Sequence, residues 1–202
     1  MNVREYAILF WTVVGIITLL VASPALSRLL VYPQTEFFTE MWLLGPHHMA
    51  ENYPFNITRG QTYSIYLDLA NHLGYSAYYV VEVKFRNSTQ SAPSSFGPVS
   101  NQTPSSLPSL YNVSAFVADE GSWELPLSFS FDFFNTTLLT VQMRGLTLNG
   151  AGLNLTGCSI AYSPQGVMYA GNLFFELWIY NRTTSVFEYN DRWVGLVLNM
   201  TV

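Results

Sequence analysis

The chain has 202 residues, 50% of them hydrophobic and 16% aromatic, but only 10% are charged and the formal charge is −5. That is ample apolar material for a core, which excludes disorder over most of the length, and a single lysine, Lys84, among eight basic residues excludes the basic stripe that nucleic acid requires. Ordinary soluble domains carry about 25% charged residues, so this surface must be kept in solution by neutral polar groups or by something attached to them.

In chain order, the first element is YAILFWTVVGIITLLVASPALS, residues 6–27, uncharged between Glu5 and Arg28. At ~1.5 Å per residue it predicts a helix of about 33 Å, enough to cross a hydrocarbon core of ~30 Å. Tyr6 and Trp11 near one end and Tyr32 beyond the other suit the two interfaces, and Pro24 is expected to close or kink the helix. The expected organisation is a membrane anchor with its exit over residues 1–35, holding the lipid bilayer through residues 6–27, and an extracytoplasmic domain over 36–202. Arg4 before the run and Ser23-Pro24-Ala25 near its end leave open a signal peptide cut near Ala25. The apolar stretch exceeds the usual signal core of about 7–15 residues, which favours the anchor.

Charge orients this helix poorly, because Arg4 is offset by Glu5 on one flank and Arg28 stands on the other. Glycan-acceptor motifs orient it better. Asn-x-Ser/Thr occurs at Asn56, Asn87, Asn101, Asn112, Asn135, Asn154, Asn181 and Asn199, eight of the chain's 14 asparagines, where its 35 Ser and Thr among 202 residues predict roughly 2.4 by chance. The excess points to an outward-facing domain carrying N-linked glycans, which would also account for the scarcity of charge. The competing reading is that turns and strand ends rich in Asn and Thr produce such triplets incidentally.

From residue 36 the hydrophobic period becomes two. Tyr63, Ile65, Leu67 and Leu69 alternate with Ser64, Tyr66 and Asp68; Tyr79, Val81, Val83 and Phe85 alternate with Val80, Glu82 and Lys84; Leu125 to Phe133 alternate with Pro126, Ser128, Ser130 and Asp132. Further strands are expected at 138–148, 153–161, 166–180 and 192–201, with Asn149-Gly150 as a hairpin turn. Short strands, frequent turns and no amphipathic helix after the anchor predict an all-β fold, an immunoglobulin-like antiparallel β-sandwich of about seven to nine strands. The Cys and Trp spacing of antibody domains is missing, so only the architecture is implied. Residues 87–110, rich in Ser and Pro, read as a long exposed loop.

Between anchor and first clear strand lies LLGPHHMAENYPFNITRG, residues 43–60, in which Gly45-Pro46 turns the chain, Pro54 holds it extended and Arg59-Gly60 leads into the strand. The surrounding pattern, with Gly45, Pro46, Asn52, Tyr53, Pro54, Asn56, Gly60, Asn71 and His72 followed by Trp123-Glu124-Leu125-Pro126, resembles an archaeal family of membrane-anchored domains of unknown function. The likeness covers about residues 37–133. It implies an extracytoplasmic immunoglobulin-like fold without assigned chemistry, and favours a doorway into the domain over a ligand loop for 43–60, with Asn71 and His72 as a strand-end turn bonding nearby backbone.

Chemistry is weakly signalled. His47, His48 and His72 form a conceivable metal set, but solvated or satisfied histidines are the default, and no histidine follows Cys158 as a cupredoxin-like site would need. Cys158 cannot form an internal disulfide and reads as a buried small hydrophobe. Asp119, Glu120 and Glu124 beside Trp123 invite comparison with a glycosidase pair, although neighbours on a turn rarely face each other across a cleft. The expectation is therefore no enzyme, no cofactor and no metal, but a glycosylated cell-surface module, structural or accessory to the envelope or to a larger membrane complex, with protein partners. Two alternatives stand beside it. One is a secreted filament or pilus subunit, cut near Ala25, whose apolar stretch Leu29 to Tyr32 pairs with a neighbour's open sheet edge. The other is a binding module for a sugar or solute, which predicts an exposed aromatic patch or a concave pocket.

Overall fold

The computed structural model describes residues 3–29, 37–94, 102–137, 139–163 and 168–201. It divides into two compact units, Met1–Glu36 and Phe37–Val202. In the first, α1 (Val3–Leu29) carries an uncharged, largely apolar stretch from Tyr6 to Ser23, whose side chains are exposed except for partial cover at Val14 and Ala22. An apolar surface all round suits lipid rather than water. The Thr12 and Thr18 hydroxyls donate to the carbonyls of Ile8 and Val14, so neither is left unsatisfied. The helix is long and apolar enough to cross a membrane. Pro24 does not close it: helical backbone continues to Leu29, at the loss of the one bond that proline cannot donate.

The second unit is a two-sheet sandwich. Its strands are β1 (Phe38–Leu44), β2 (Asn56–Thr58), β3 (Tyr63–His72), β4 (Ala77–Asn87), β5 (Tyr111–Val117), β6 (Gly121–Thr137), β7 (Thr140–Leu148), β8 (Ala151–Asn154), β9 (Ser159–Ala161), β10 (Ala170–Asn181) and β11 (Val186–Thr201). The first sheet runs β1-β3-β6-β7-β8, with β9 also on β7; the second runs β2-β11-β10-β4-β5. Alternation decides which side chains meet between them. Ile65, Leu67 and Leu69 of β3 and Leu127, Phe129, Phe131 and Phe133 of β6 face Tyr79, Val81, Val83 and Phe85 of β4 and Leu173, Phe175 and Leu177 of β10. Phe85 and Phe131 meet across the sheets with ring centroids 5.3 Å apart.

The all-β sandwich and its N-terminal helix agree with the sequence reading; several details do not. Eleven strands form among the described residues rather than seven to nine, because residues 38–44, 56–58 and 111–117 are strands that no alternation announced and one expected strand divides. The sandwich is antiparallel except for β2, which pairs parallel to β11. The expected strand 153–161 is broken in two: the Asn154 side chain accepts bonds from the Thr156 N–H and hydroxyl, and Gly157 adopts a φ of 99°, so a turn separates β8 from β9. The strand expected over 166–180 begins at Ala170, and 192–201 is the second part of the longer β11. Asn149 and Gly150, with φ of 47° and 83°, make the expected left-handed hairpin turn between β7 and β8.

Residues 43–60 carry the chain from one sheet to the other. The Gly45 N–H donates to the Met49 carbonyl at 2.7 Å, and the Tyr53 hydroxyl donates to the Leu43 carbonyl at 2.6 Å. A side chain at Gly45 would place its Cβ 2.0 Å from the Glu51 carbonyl oxygen, so only glycine fits. Across the domain, a bulge in β11 after Tyr189 lets the Asn190 amide reach the Thr39 hydroxyl of β1 at 2.7 Å, joining the sheets along that edge.

Candidate functional site

Seven of the eight candidate acceptor asparagines are described; Asn101 lies outside the described residues, as do residues 30–32 of the stretch proposed for strand exchange, whose Leu29 is helical. Asn56, Asn112, Asn135 and Asn154 are exposed on strands, while Asn87, Asn181 and Asn199 are half-buried. The half-buried three have committed amides. Asn87 Nδ2 donates to the Ser159 carbonyl, Asn181 Nδ2 to Glu188 Oε2, and Asn199 Nδ2 to Asn56 Oδ1, each at 2.9 Å. Asn154, by contrast, is exposed and bonds through its Oδ1, which accepts the hydroxyl of its own motif's Thr156, while its Nδ2 donates to no group among the described residues.

The structure disperses the residues that sequence had grouped for chemistry. His48 stacks on Tyr66 at 3.8 Å and its Nδ1 lies 2.9 Å from Glu124 Oε2; His72 stacks on Phe38 at 4.8 Å and its Nδ1 lies 2.8 Å from Glu120 Oε2. Tyr66 and His72 are six residues apart along β3, roughly 20 Å, and His47 is exposed. Among the described residues no three or more His, Cys, Asp or Glu side chains gather as a metal site. The three acids near Trp123 also part company: Asp119 accepts from the Gly74 N–H at 2.8 Å, while Glu120 and Glu124 go to the two histidines. Trp123 packs against the core.

Asn71 does what a strand-end turn asks, and more. It is fully buried, its Nδ2 donates to the carbonyls of Tyr75, Val117 and Ala118, and its Oδ1 accepts the Tyr79 hydroxyl at 3.0 Å. His72 instead bonds a side chain, Glu120, which corrects the backbone role expected for it. Cys158 is half-buried against the core, and burial pushes its thiol pKa up, away from the reactive thiolate.

Three features escaped the sequence reading. Lys84, buried on the outer side of β4, lies 2.7 Å from Glu176 and 3.0 Å from Glu82, and Glu176 also accepts the Ser105 N–H at 2.6 Å. The alternation had left Lys84 facing solvent; the segment around Ser105 covers it. Asp68, 8% exposed, stands directly across from Glu124, and its Oδ2 has no hydrogen-bond partner among the described residues. Burial, and then the Glu124 charge, raise its pKa, with His48 opposing. The third feature is a pair of concavities. A groove of about 680 Å³ between β1 and β11 is lined by Trp42, Tyr53, Phe55, Trp193 and Val197, where β2 no longer flanks β11. A cleft of about 500 Å³ lies beside Tyr75, Tyr180, Arg182 and Glu188, but its polar groups are spent on one another: Glu188 accepts from Asn181 and Thr184, and Arg182 donates to the Ser76 carbonyl.

No curated protein matches this chain. One family does, and its match runs from just before β1 through β6, leaving β7–β11 beyond it. Residues 33–139, a little over half of the 202, match the family described as Domain of unknown function (DUF1616), and the chain belongs to that family.

Proposed function

We propose that this protein is a non-enzymatic, single-pass cell-surface module whose sandwich faces outward, carries N-linked glycans, and serves as a structural or accessory part of the envelope or of a larger membrane complex. The observation that carries the reading is the set of acceptor motifs, well above the chance number, four of which stand exposed on strands at Asn56, Asn112, Asn135 and Asn154. The apolar helix supplies the anchor. Glycans on an otherwise weakly charged surface would keep it soluble. The reading needs no cofactor.

The test is intact and peptide-level mass spectrometry on protein from its native membrane fraction. A mass retaining residues 1–29, with hexose-bearing peptides at the exposed four and less at Asn87, Asn181 and Asn199, supports the reading. Bare asparagines throughout would remove its main argument. The filament alternative is favoured by one observation, the apolar groove along the free edges of β1 and β11. A chain beginning near Leu26 in the same spectrum would put that alternative first.

A further inference from the structure

One end of the sandwich presents an aromatic surface that neither the core nor the acceptor asparagines explain. On the outer side of the second sheet, strand register sets four rings in a row across β5, β4, β10 and β11. Phe116 pairs with Tyr78 and Tyr180 pairs with Phe187, while Tyr78 and Tyr180 stand one step beyond the last paired residues of β4 and β10. Three of the four rings touch through Phe187, whose centroid lies 5.5 Å from that of Tyr78 and 5.4 Å from that of Tyr180. Water still reaches them, with Phe116 67% and Tyr78 41% exposed.

The surface continues around the same end. Tyr75, 50% exposed in the turn after β3, lies beneath the Arg182 guanidinium at 5.9 Å. Phe37 rests on Gly74 of that turn, where an added Cβ would come within 2.7 Å of its ring, and Phe38 stacks on His72. Single exposed hydrophobics need no explanation, but seven aromatic residues gathered at one end of a domain do.

We infer that this end of the domain docks onto the lipid–water interface of a membrane, its rings entering the headgroup region. Phenylalanine and tyrosine rings, apolar in body and in tyrosine polar at the tip, are the side chains that settle there. The chain also enters the domain at this end: seven residues separate Leu29 of the apolar helix from Phe37, a tether of about 28 Å at full extension. A sugar platform fits less well. Stacking on a flat glycan needs coplanar rings, and these are tilted 54° and 65° to one another. Asp119 and Glu120 at the same end oppose anionic headgroups, so the attraction is to neutral lipid and comes from ring burial rather than charge. The exposed acceptors Asn56 and Asn135 lie toward the opposite ends of their strands' sheets, while Asn112 shares the outer face of β5 with Phe116, four residues away, so a glycan there would border the row.

The inference rests on the retained anchor of the reading above, not on glycosylation. It is tested on the full chain in phosphatidylcholine vesicles, with spin labels at Val186→Cys beside the row and at Leu139→Cys in the turn between β6 and β7, each in a Cys158→Ser background. Both positions are exposed, so the labels should not disturb folding. Oxygen and a water-soluble nickel chelate then report depth: label 186 should favour oxygen and label 139 the chelate. Phe116→Ser with Phe187→Ser should move label 186 into the aqueous class. An aqueous label 186 in the parent protein overturns the inference, and its immobilisation by a soluble neutral oligosaccharide would make the row a sugar platform instead. The intact mass of the same sample, with residues 1–29 present, separates failed docking from a lost anchor.

Discussion

The two sheets turn different surfaces outward although their inner faces are built alike. Outward positions on β3 and β6 are Ser64, Tyr66, Asp68, Ser122, Glu124 and Ser128, nearly all polar, with the His48 ring stacked on Tyr66. The corresponding positions on β4, β10 and β11 are Tyr78, Lys84, Phe174, Glu176, Trp178, Phe187 and Trp193, which need a cover. Part of that cover comes from the protein itself: the segment around Ser105 lies over Lys84 and Glu176, and Trp193 closes edge-on over Phe174 at 6.2 Å. Cover is incomplete, and it ends at the aromatic row. A two-sided apolar sheet is thus held in place by one buried charge cluster, whereas a one-sided sheet is held by ordinary alternation.

Removing the charge cluster should therefore have the largest effect. Lys84→Met leaves Glu176, fully buried, opposite Glu82 with the Ser105 N–H as its remaining partner among the described residues, and should destabilise the domain by about 3–5 kcal/mol in urea denaturation. Glu176→Leu should cost less, because Lys84 keeps Glu82 at 3.0 Å. The double variant should recover most of the loss, and protease cutting within residues 88–94 and 102–110 should rise in every variant that frees Ser105. If Lys84→Met is neutral, the second sheet does not depend on the pair.

The next effect concerns the link between the sheets rather than either face. Asn71 belongs to the first sheet, yet it binds the Val117 carbonyl and the Tyr79 hydroxyl of the second. Asn71→Ala strands both inside the core and should cost about 2–3 kcal/mol; Tyr79→Phe, which removes one bond and its donor together, should cost about 1 kcal/mol. Equal losses in a denaturation series would mean that Asn71 acts through packing alone.

This difference between the sheets also explains what sequence could and could not tell. β3, β4 and β6 were legible because one polar and one apolar face alternate in period two, and Asn149-Gly150 marked its own turn. β1 was not, since Trp42, Leu43 and Leu44 run on without alternation, and β2 has only three residues. Lys84 looked solvated because no periodic pattern announces the segment that buries it. Asp119, Glu120 and Glu124 looked like neighbours, but their partners at residues 74, 72 and 48 are set by folding. The aromatic row is invisible along the chain, as residues 78, 116, 180 and 187 meet only through the register of four strands.

The smallest expected effect probes the polar outer face, at the one place where it resembles the other sheet. Asp68 is a buried carboxylate beside Glu124, and among the described residues one of its oxygens has no partner and no cation stands against it as Lys84 does against Glu176. Folding raises its pKa, so the folded chain holds that proton more tightly than the unfolded one. Its ionisation therefore lowers stability, from none below the ordinary carboxylate value of about 3.9 to the full amount above the raised folded value. Asp68→Asn keeps the shape and removes the charge, and should stabilise the domain modestly at pH 7. The gain should vanish at acid pH, where the parent side chain is already neutral. Glu124→Gln would relieve Asp68 too, but it strips His48 of its partner and loosens the 43–60 connection, so its benefit should be smaller. A pH-independent gain for Asp68→Asn would mean that shape or hydrogen bonding, and not charge, sets the cost of this site.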